Sequence, residues 1–235
     1  MWASTAGLRS KLSPTAWFAV QIAGGVLVFV AAGWIFGGIA EDVVDRDPIT
    51  VLDTQLAIWF HLHAISWLTP LMLDISLMHG IAGTSVMTIL VALWLLWSRE
   101  RYWLLAFFLA VPGGMLLNML VKLAFHRSRP SFDDPLVTLL TYSFPSGHTA
   151  AATVFYVTLA SYLLMRVRAA GIRVAIVMVA VLMIVLVALS RIYLGAHFLS
   201  DVLAAAAEGV GWVALCLMAT GTLQRRSVAR RARMP

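Results

Sequence analysis

The sequence predicts an all-α protein that crosses a membrane several times. Of its 235 residues, 61% are hydrophobic and only 12% are charged, and the mean hydropathy is +0.90. A water-soluble domain of this length cannot bury so much apolar surface. The apolar residues also occur in runs of about 20, the length that a helix needs to cross a ~30 Å hydrocarbon core.

Six of these runs are predicted as membrane-spanning helices: residues 15–40, 81–98, 103–125, 147–166, 172–190 and 198–221. The first run, of roughly 25 residues, is longer than the apolar part of a cleaved signal, so we expect an uncleaved anchor. An extra helical segment between the first and second spans, residues 49–79, is interrupted by Asp53, Pro70 and Asp74. We expect this segment to lie at the membrane interface, or to dip in and return. Residues 1–235 are predicted as a single domain with a basic tail at 224–235.

The positions of the basic residues predict how the protein is oriented. One set of helix ends holds 12 of the 17 lysines and arginines, namely Arg9, Lys11, Arg99, Arg101, Arg166, Arg168, Arg173, Arg225, Arg226, Arg230, Arg231 and Arg233. By the positive-inside rule this face is cytoplasmic, and both termini are expected on the cytoplasmic side of the cell membrane. The basic excess is thereby assigned to topology and contact with anionic lipid, and no nucleic-acid partner is predicted. The single cysteine, Cys216, excludes an intramolecular disulfide and a cysteine-built zinc site.

The other face, predicted to be extracytoplasmic, collects residues suited to binding an anion. Lys122 and Arg129 are seven residues apart near the end of the third span, so both can point to one face. The stretch SFPSGHTAAA opens the fourth span with Ser146 and Gly147, where free backbone N–H groups and the helix dipole favour an anion. His148 follows directly and can exchange a proton near neutral pH.

The stretch SRIYLGAHFLSD, residues 190–201, completes this set. Arg191 ends the fifth span, and His197 and Asp201 begin the sixth at positions i and i+4, on one helical face. A carboxylate beside an imidazole fixes its tautomer and makes the other ring nitrogen a better-oriented nucleophile or base. Taken singly, a snorkelling lysine, a helix cap or a structural His–Asp pair has an ordinary explanation. Together on one membrane face they predict a phosphate site with acid–base groups, without a metal or cofactor.

These residues also carry a resemblance to a known family. Lys122-x6-Arg129-Pro130, Pro145-Ser146-Gly147-His148 and Ser190-Arg191-x5-His197-x3-Asp201 resemble, in order, the three signature motifs of the type 2 phosphatidic acid phosphatases. That family is related to bacterial acid phosphatases and vanadium haloperoxidases. The matching region, residues 122–201, is about a third of the chain. The resemblance implies six helices and a metal-independent phosphatase that acts on lipid phosphates through a phosphohistidine.

The resemblance and the residues together assign roles to the candidate set. His197 is the expected nucleophile, held by Asp201, and His148 is the expected acid for the leaving group and base for water. The phosphoryl oxygens are expected to be neutralised by Lys122, Arg129, Ser146, Gly147 and Arg191. No role is assigned to His126, Arg127 or Glu208, and we expect His61, His63 and His79 to be structural or interfacial.

Several questions stay open in the sequence. The same site fits a lipid phosphotransferase, and a basic cluster alone fits a lipid-phosphate transporter without hydrolysis. The motifs do not name the lipid: undecaprenyl diphosphate, phosphatidylglycerol phosphate, phosphatidic acid and diacylglycerol pyrophosphate all fit. We favour the undecaprenyl carrier or a phosphatidate-like lipid. No oligomeric state is predicted.

Overall fold

The structure, a computed structural model, describes residues 13–139 and 141–231. Within these residues the chain forms helices and no strand, as predicted. The helices are α1 (Pro14–Asp45), α2 (Pro48–Leu62), α3 (Leu68–Met78), α4 (Ile81–Trp97), α5 (Arg101–Phe125), α6 (Gly147–Arg166), α7 (Ala170–Tyr193) and α8 (Leu199–Arg231).

Five of these helices, α1, α5, α6, α7 and α8, are long and apolar enough to cross a membrane. The predicted second span is α4, which has 17 residues and meets the same criteria only together with α3. Those two helices are bent by 53° at the break between them. The protein is therefore a multi-pass membrane protein, and the predicted count of six holds only if this bent pair forms one crossing.

The segment predicted as one interfacial helical element consists of two helices. Residues 63–67 separate α2 from α3, and α2 packs against α1, α7 and α8. Its contacts come from the buried face that includes Asp53 and Ala57. The segment is therefore part of the helical bundle, and its depth in a membrane stays a prediction.

Two helices extend further than the sequence predicted. α1 runs to Asp45, and α8 runs to Arg231 instead of ending near residue 221. Residues 222–231 contain no glycine or proline and are rich in arginine, a good helix former, so nothing in them breaks the helix. The described part of the basic tail is thus the last turns of α8, and residues 232–235 lie outside the described residues.

The core of the bundle lies between α4, α5, α6 and α8. Leu95, Phe107, Val154 and Val213 form its centre and are almost completely buried. α6 and α8 pack closely because Gly209 has no side chain: a Cβ there would lie 2.8 Å from Cβ of Thr153. Small residues at helix contacts allow such close approach in membrane proteins.

The helix ends that carry most of the basic residues lie together. Arg225 near the end of α8 donates to Thr15 of α1 at 2.8 Å. Glu100, before α5, pairs with Arg166 at the end of α6. The described members of the predicted cytoplasmic set therefore occupy one end of the bundle, whereas Arg9, Lys11 and Arg233 fall outside the described residues. Which side of the membrane this end faces stays a prediction.

Candidate active site

The three motif segments meet at the opposite end of the bundle. Arg129, in the segment after α5, donates from Nη1 to His197 Nε2 at 3.1 Å. The backbone N–H of Ser146, just before α6, donates to the carbonyl oxygen of Asp201 at 3.0 Å. Arg191 lies in the last turn of α7 and is also buried. The structure thus brings together residues that are up to about 80 positions apart in the sequence.

The His197–Asp201 pair predicted from the i, i+4 spacing is formed and buried. His197 Nδ1 lies 3.3 Å from Asp201 Oδ2. The same carboxylate oxygen accepts the N–H of Phe198 at 2.9 Å and the hydroxyl of Ser143. A proton on Nδ1 satisfies this carboxylate, so the lone pair of the imidazole is on Nε2.

The environment of His197 favours the neutral imidazole. Burial lowers the pKa of His197 to about 3, and outweighs the hydrogen bond and charge of Asp201, which raise it. At neutral pH the ring therefore carries no proton on Nε2. A neutral, oriented imidazole nitrogen is able to act as a nucleophile.

Arg129 is fixed against this nitrogen. Its Nε donates to the Thr141 carbonyl oxygen at 2.7 Å, and its Nη1 donates to the Ala196 carbonyl oxygen at 2.5 Å. Burial lowers the pKa of Arg129, and the charge of Asp201 opposes this effect. The Nη2 of Arg129 donates to the Thr141 hydroxyl at 2.9 Å and to the Tyr142 carbonyl oxygen at 3.0 Å, so all five N–H donors of Arg129 are in use. An anionic group that reaches His197 would take over the Nη1 donor that now points to Nε2, and the guanidinium would neutralise its charge.

Arg191 offers a second buried guanidinium. Its side chain donates from Nη1 to the hydroxyl of Ser76 on α3, and its Nε is buried without a hydrogen-bond partner among the described residues. An unpaired buried N–H group costs free energy, of order 1–3 kcal/mol. A bound anion would satisfy this group.

The start of α6 supplies backbone donors, as predicted. Ser146 is the N-cap and is completely buried, and its Oγ accepts from the Thr149 hydroxyl at 3.1 Å instead of capping the helix. The first N–H groups of α6, from Gly147 onward, have no partner within the helix. Such N–H groups at a helix N-terminus bind phosphate in many proteins.

The guanidinium groups of Arg129 and Arg191 and the N–H groups at the start of α6 are called the phosphate cradle below. His148 lies at its edge. It makes no hydrogen bond within the described part of the chain, and it interacts electrostatically with His197 and Arg191. Its Nε2 would lie 3.5 Å from a Cβ placed on Gly80, so the break between α3 and α4 forms the neighbouring wall. An unpaired imidazole beside the phosphate cradle is available to exchange a proton with a bound group.

Lys122 contacts the loop before α6, and its expected role at the phosphate stays a prediction. Its Nζ donates to the carbonyl oxygens of Tyr142 at 2.8 Å, Ser143 at 3.2 Å and Pro145 at 2.8 Å. An ammonium group has three donors, so these contacts use all of them. Lys122 therefore holds the loop that leads into α6, and direct contact with a phosphate would require it to exchange one of these hydrogen bonds.

The sequence did not indicate a role for three residues next to the His197–Asp201 pair. Arg127 and Ser143 contact Asp201 directly, and Asp53 contacts it through Arg127. Arg127 donates from Nη1 to Asp201 Oδ1 at 2.7 Å and from Nη2 to Asp53 Oδ2 at 2.8 Å. Ser143 donates to Asp201 from the opposite side. The available signals were an aspartate in an apolar segment and a second arginine two residues before Arg129, but neither indicated which partners these residues would contact.

The other polar residues of this end have local partners. His61 stacks on Phe132, His63 stacks on Trp59, His79 hydrogen-bonds to the Tyr156 hydroxyl at 2.8 Å, and His126 packs against Tyr142. These contacts agree with structural roles, which stay predictions.

Glu208 lies deeper in the bundle. Its Oε2 accepts from Asn118 Nδ2 at 2.8 Å, and its Oε1 is buried without a partner among the described residues. In the described ranges no group of three or more His, Cys, Asp and Glu side chains is arranged to hold a metal ion. Independence from metals is nonetheless a prediction that only an experiment tests.

Gly195 shapes the loop that carries His197. Its φ is +65°, and a Cβ would lie 2.8 Å from Cε2 of Phe132. We expect Gly195→Ala to lower the melting temperature and the turnover, because the left-handed conformation costs about 1–2 kcal/mol for alanine and Phe132 must move. Thermal unfolding in detergent and an activity assay measure both effects.

Gly171→Ala is the matched control for this change, because a Cβ at Gly171 meets nothing within 4 Å. A Gly195→Ala variant as stable and as active as Gly171→Ala would contradict the assignment of strain to this loop.

Comparison with known proteins identifies similar sequences and folds. Residues 101–225 match the family model described as the PAP2 superfamily. The chain is 30% identical over 138 residues to phosphatidylglycerophosphatase B of Bacillus subtilis (strain 168), covering 58% of this chain and 68% of that protein. It is 31% identical over 188 residues to a probable lipid phosphate phosphatase beta of Arabidopsis thaliana, covering 69% of this chain and 86% of that protein.

Two solved structures have similar folds. The crystal structure of a transmembrane PAP2 type phosphatidylglycerolphosphate phosphatase from Bacillus subtilis superposes with a TM-score of 0.72 at 26% identity, over 80% of this chain and 93% of that one. The crystal structure of Aquifex aeolicus LpxE gives a TM-score of 0.58 at 24% identity, over 71% of this chain and 94% of that one. The second likeness concerns the fold alone.

Proposed function

The chain belongs to the PAP2 superfamily of phosphatases, and on that premise we propose that it hydrolyses a membrane lipid phosphate through a phosphohistidine on His197. The observation that carries this proposal is the setting of the His197 imidazole. Asp201 holds its Nδ1, and the guanidinium of Arg129 lies 3.1 Å from its Nε2. A nucleophilic nitrogen and a cation that neutralises phosphoryl charge therefore face the same space.

In the first step, His197 Nε2 attacks phosphorus in line with the bond to the lipid oxygen. The N–P bond forms while the P–O bond to the lipid breaks, and His148 donates a proton to the leaving oxygen. Arg129, Arg191 and the N–H groups at the start of α6 stabilise the negative charge on the phosphoryl oxygens. Such positioning and electrostatic stabilisation supply most of the catalysis of phosphoryl transfer.

In the second step, His148 accepts a proton from a water molecule that attacks the phosphohistidine. The N–P bond breaks, inorganic phosphate is released, and the lone pair returns to His197 Nε2. Asp201 stabilises the imidazolium that exists while the phosphoryl group is attached. Lys122 acts by its charge and by holding the loop before α6, in place of direct contact with phosphate.

The substrate we propose is a lipid phosphomonoester or diphosphate, and phosphatidylglycerol phosphate is the first to test. The B. subtilis relative is named as a phosphatidylglycerophosphatase, and the solved B. subtilis structure is described as a phosphatidylglycerolphosphate phosphatase. Undecaprenyl diphosphate, phosphatidic acid and diacylglycerol pyrophosphate present the same terminal phosphoryl group, so they complete the panel.

A phosphate-release assay on purified protein across these four lipids, with and without EDTA, tests the proposal. We expect release of inorganic phosphate that persists in EDTA, because the positive charge in the site comes from side chains. Transfer of the phosphoryl group to another lipid without release would identify a phosphotransferase. Binding of the lipids with neither outcome would identify a binding or transport protein and would overturn the proposal.

We propose that the site faces the outside of the cell membrane and that both termini are cytoplasmic. Single cysteines in a Cys216→Ser background test this orientation at positions that are exposed in the structure. Asp134→Cys is expected to react with an impermeant thiol reagent in intact cells. Ala170→Cys and Val228→Cys, at the opposite end of the bundle, are expected to react only after permeabilisation. The reverse labelling pattern would contradict the proposed sidedness.

A further inference from the structure

A buried charge network behind the His197–Asp201 pair has no role in the steps above. Arg127 lies in the segment after α5, and its guanidinium bridges two carboxylates, Asp201 Oδ1 at 2.7 Å and Asp53 Oδ2 at 2.8 Å. Both carboxylates are fully buried, and the Arg127 side chain is 14% exposed. The guanidinium also lies 4.4 Å above the ring of Phe198, which fixes its plane.

Asp53 ties the network to the start of α8. Its Oδ1 accepts the backbone N–H of Ser200 at 2.9 Å, and its Oδ2 accepts the hydroxyl of the same serine. Arg127 donates to that hydroxyl as well, at 2.7 Å. Ser200 is the second residue of α8, so Asp53 from α2 satisfies an N–H group that the helix leaves unpaired. The helix turn that carries Asp201 is thereby anchored from a different helix.

The two oxygens of Asp201 consequently have separate partners. Oδ1 faces Arg127, while Oδ2 faces His197, Ser143 and the N–H of Phe198. A carboxylate held at one oxygen cannot rotate, so the other oxygen stays directed at His197 Nδ1. Partners one shell beyond a reactive group orient it in this way.

We propose that Arg127 and Asp53 are positioning residues of the phosphatase: Arg127 holds Asp201 ionised and oriented toward His197, and Asp53 holds Arg127 and the Ser200 turn in place. This inference rests on the proposed function. One guanidinium is shared by two carboxylates, so removal of Arg127 leaves two buried negative charges without the cation that lies between them. Two buried carboxylates that lack a shared cation repel each other, which favours protonation of one of them. A protonated Asp201 no longer orients and stabilises the imidazole of His197.

The test compares Arg127→Gln, Asp53→Asn and the double variant in lipid phosphate hydrolysis. Arg127→Gln is expected to lower kcat about 10- to 100-fold and to leave KM within about twofold, because Arg127 touches Asp201 and not the phosphate cradle. Asp53→Asn alone is expected to change kcat by less than about threefold, since asparagine still accepts the Ser200 N–H. In the Arg127→Gln background the same change removes the second charge, and kcat is expected to rise about five- to tenfold.

Arg46→Gln is the matched control, because Arg46 lies toward the same end of the bundle, is exposed and has no ion pair with any residue that the structure describes. Unchanged kcat in Arg127→Gln would overturn the inference, and so would a loss confined to KM. A double variant no faster than Arg127→Gln would also overturn it, because a merely structural contact gives no rescue. A wild-type protein that releases no phosphate would overturn the proposed function and this inference together.

If Arg127→Gln does not fold, as judged by size exclusion in detergent, the pH profile of Asp53→Asn decides. Arg127 and His197 contact Asp201, Asp53 faces it through Arg127, and Lys122 and Arg129 are within electrostatic range. Removing the Asp53 charge makes protonation of Asp201 less favourable, so the acid limb of kcat is expected to move to lower pH. An acid limb that coincides with that of wild type would overturn the inference.

Discussion

His197→Ala is expected to abolish phosphate release while the protein still folds. The variant lacks the nitrogen that forms the covalent bond, and loss of the nucleophile in a serine protease costs on the order of 10⁶-fold in kcat. Folding is expected to survive because Asp201 keeps three partners: Arg127, Ser143 and the N–H of Phe198. The variant therefore does not leave a buried carboxylate unpaired, which is the change that most destabilises a core.

Phosphate release and rapid-quench labelling with radioactive lipid phosphate measure this prediction. The wild-type protein is expected to show acid-labile, alkali-stable label, and His197→Ala none. His63→Ala is the matched control, because His63 is an exposed histidine that stacks on Trp59 away from the cradle. Asp201→Asn is expected to keep some turnover, reduced by about 10⁴-fold or less. Robust turnover or a labelled phosphohistidine in purified His197→Ala would refute the assignment.

The sequence predicts the helical membrane fold and the pairing of His197 with Asp201 because both depend on local periodicity. Apolar runs of helical length and an i, i+4 spacing are visible in one stretch of chain. The bend between α3 and α4 was not predictable in this way. It depends on packing: a Cβ at Gly83 would lie 2.0 Å from the Met78 carbonyl oxygen, so the bend needs a residue without a side chain. A glycine in an apolar run does not by itself indicate such a contact.

The contacts that the sequence does not predict are those that side chains make across the fold. Arg127 and Arg129 are two positions apart in a segment without regular structure, and they reach opposite ends of one His–Asp pair. Asp53 is separated from Ser200, its partner, by 147 positions. Lys122 has the spacing expected of a phosphate ligand, yet loop carbonyls occupy its three donors. Sequence spacing predicts the face of a helix on which a charged side chain lies. It does not predict which residue that side chain contacts, because the contact is made with loops that are distant in sequence.

The second large effect is expected at Arg191, where alanine should lower turnover by about 10²–10³-fold and weaken inhibition by vanadate. Vanadate adopts the five-coordinate geometry of the transition state, with its apical position toward His197, so it needs the same cationic groups. Arg191 is suited to this role because its Nε is buried without a partner, while its Nη1 is held by Ser76. Arg191→Lys keeps the charge but loses the forked donors, so it is expected to recover only part of both effects.

Arg173→Ala is the matched control, since Arg173 lies on the same helix at the other end of the bundle and donates to backbone carbonyls of residues 164 and 167. For each Arg191 variant, the fold loss of turnover relative to wild type is compared with the fold loss of vanadate affinity. If one phosphate cradle binds both substrate and vanadate, the two losses change together. A variant that loses turnover but binds vanadate as tightly as wild type would place Arg191 outside the cradle. Complete loss of wild-type activity in EDTA, restored by magnesium, would show that a metal ion supplies the charge now assigned to Arg129 and Arg191.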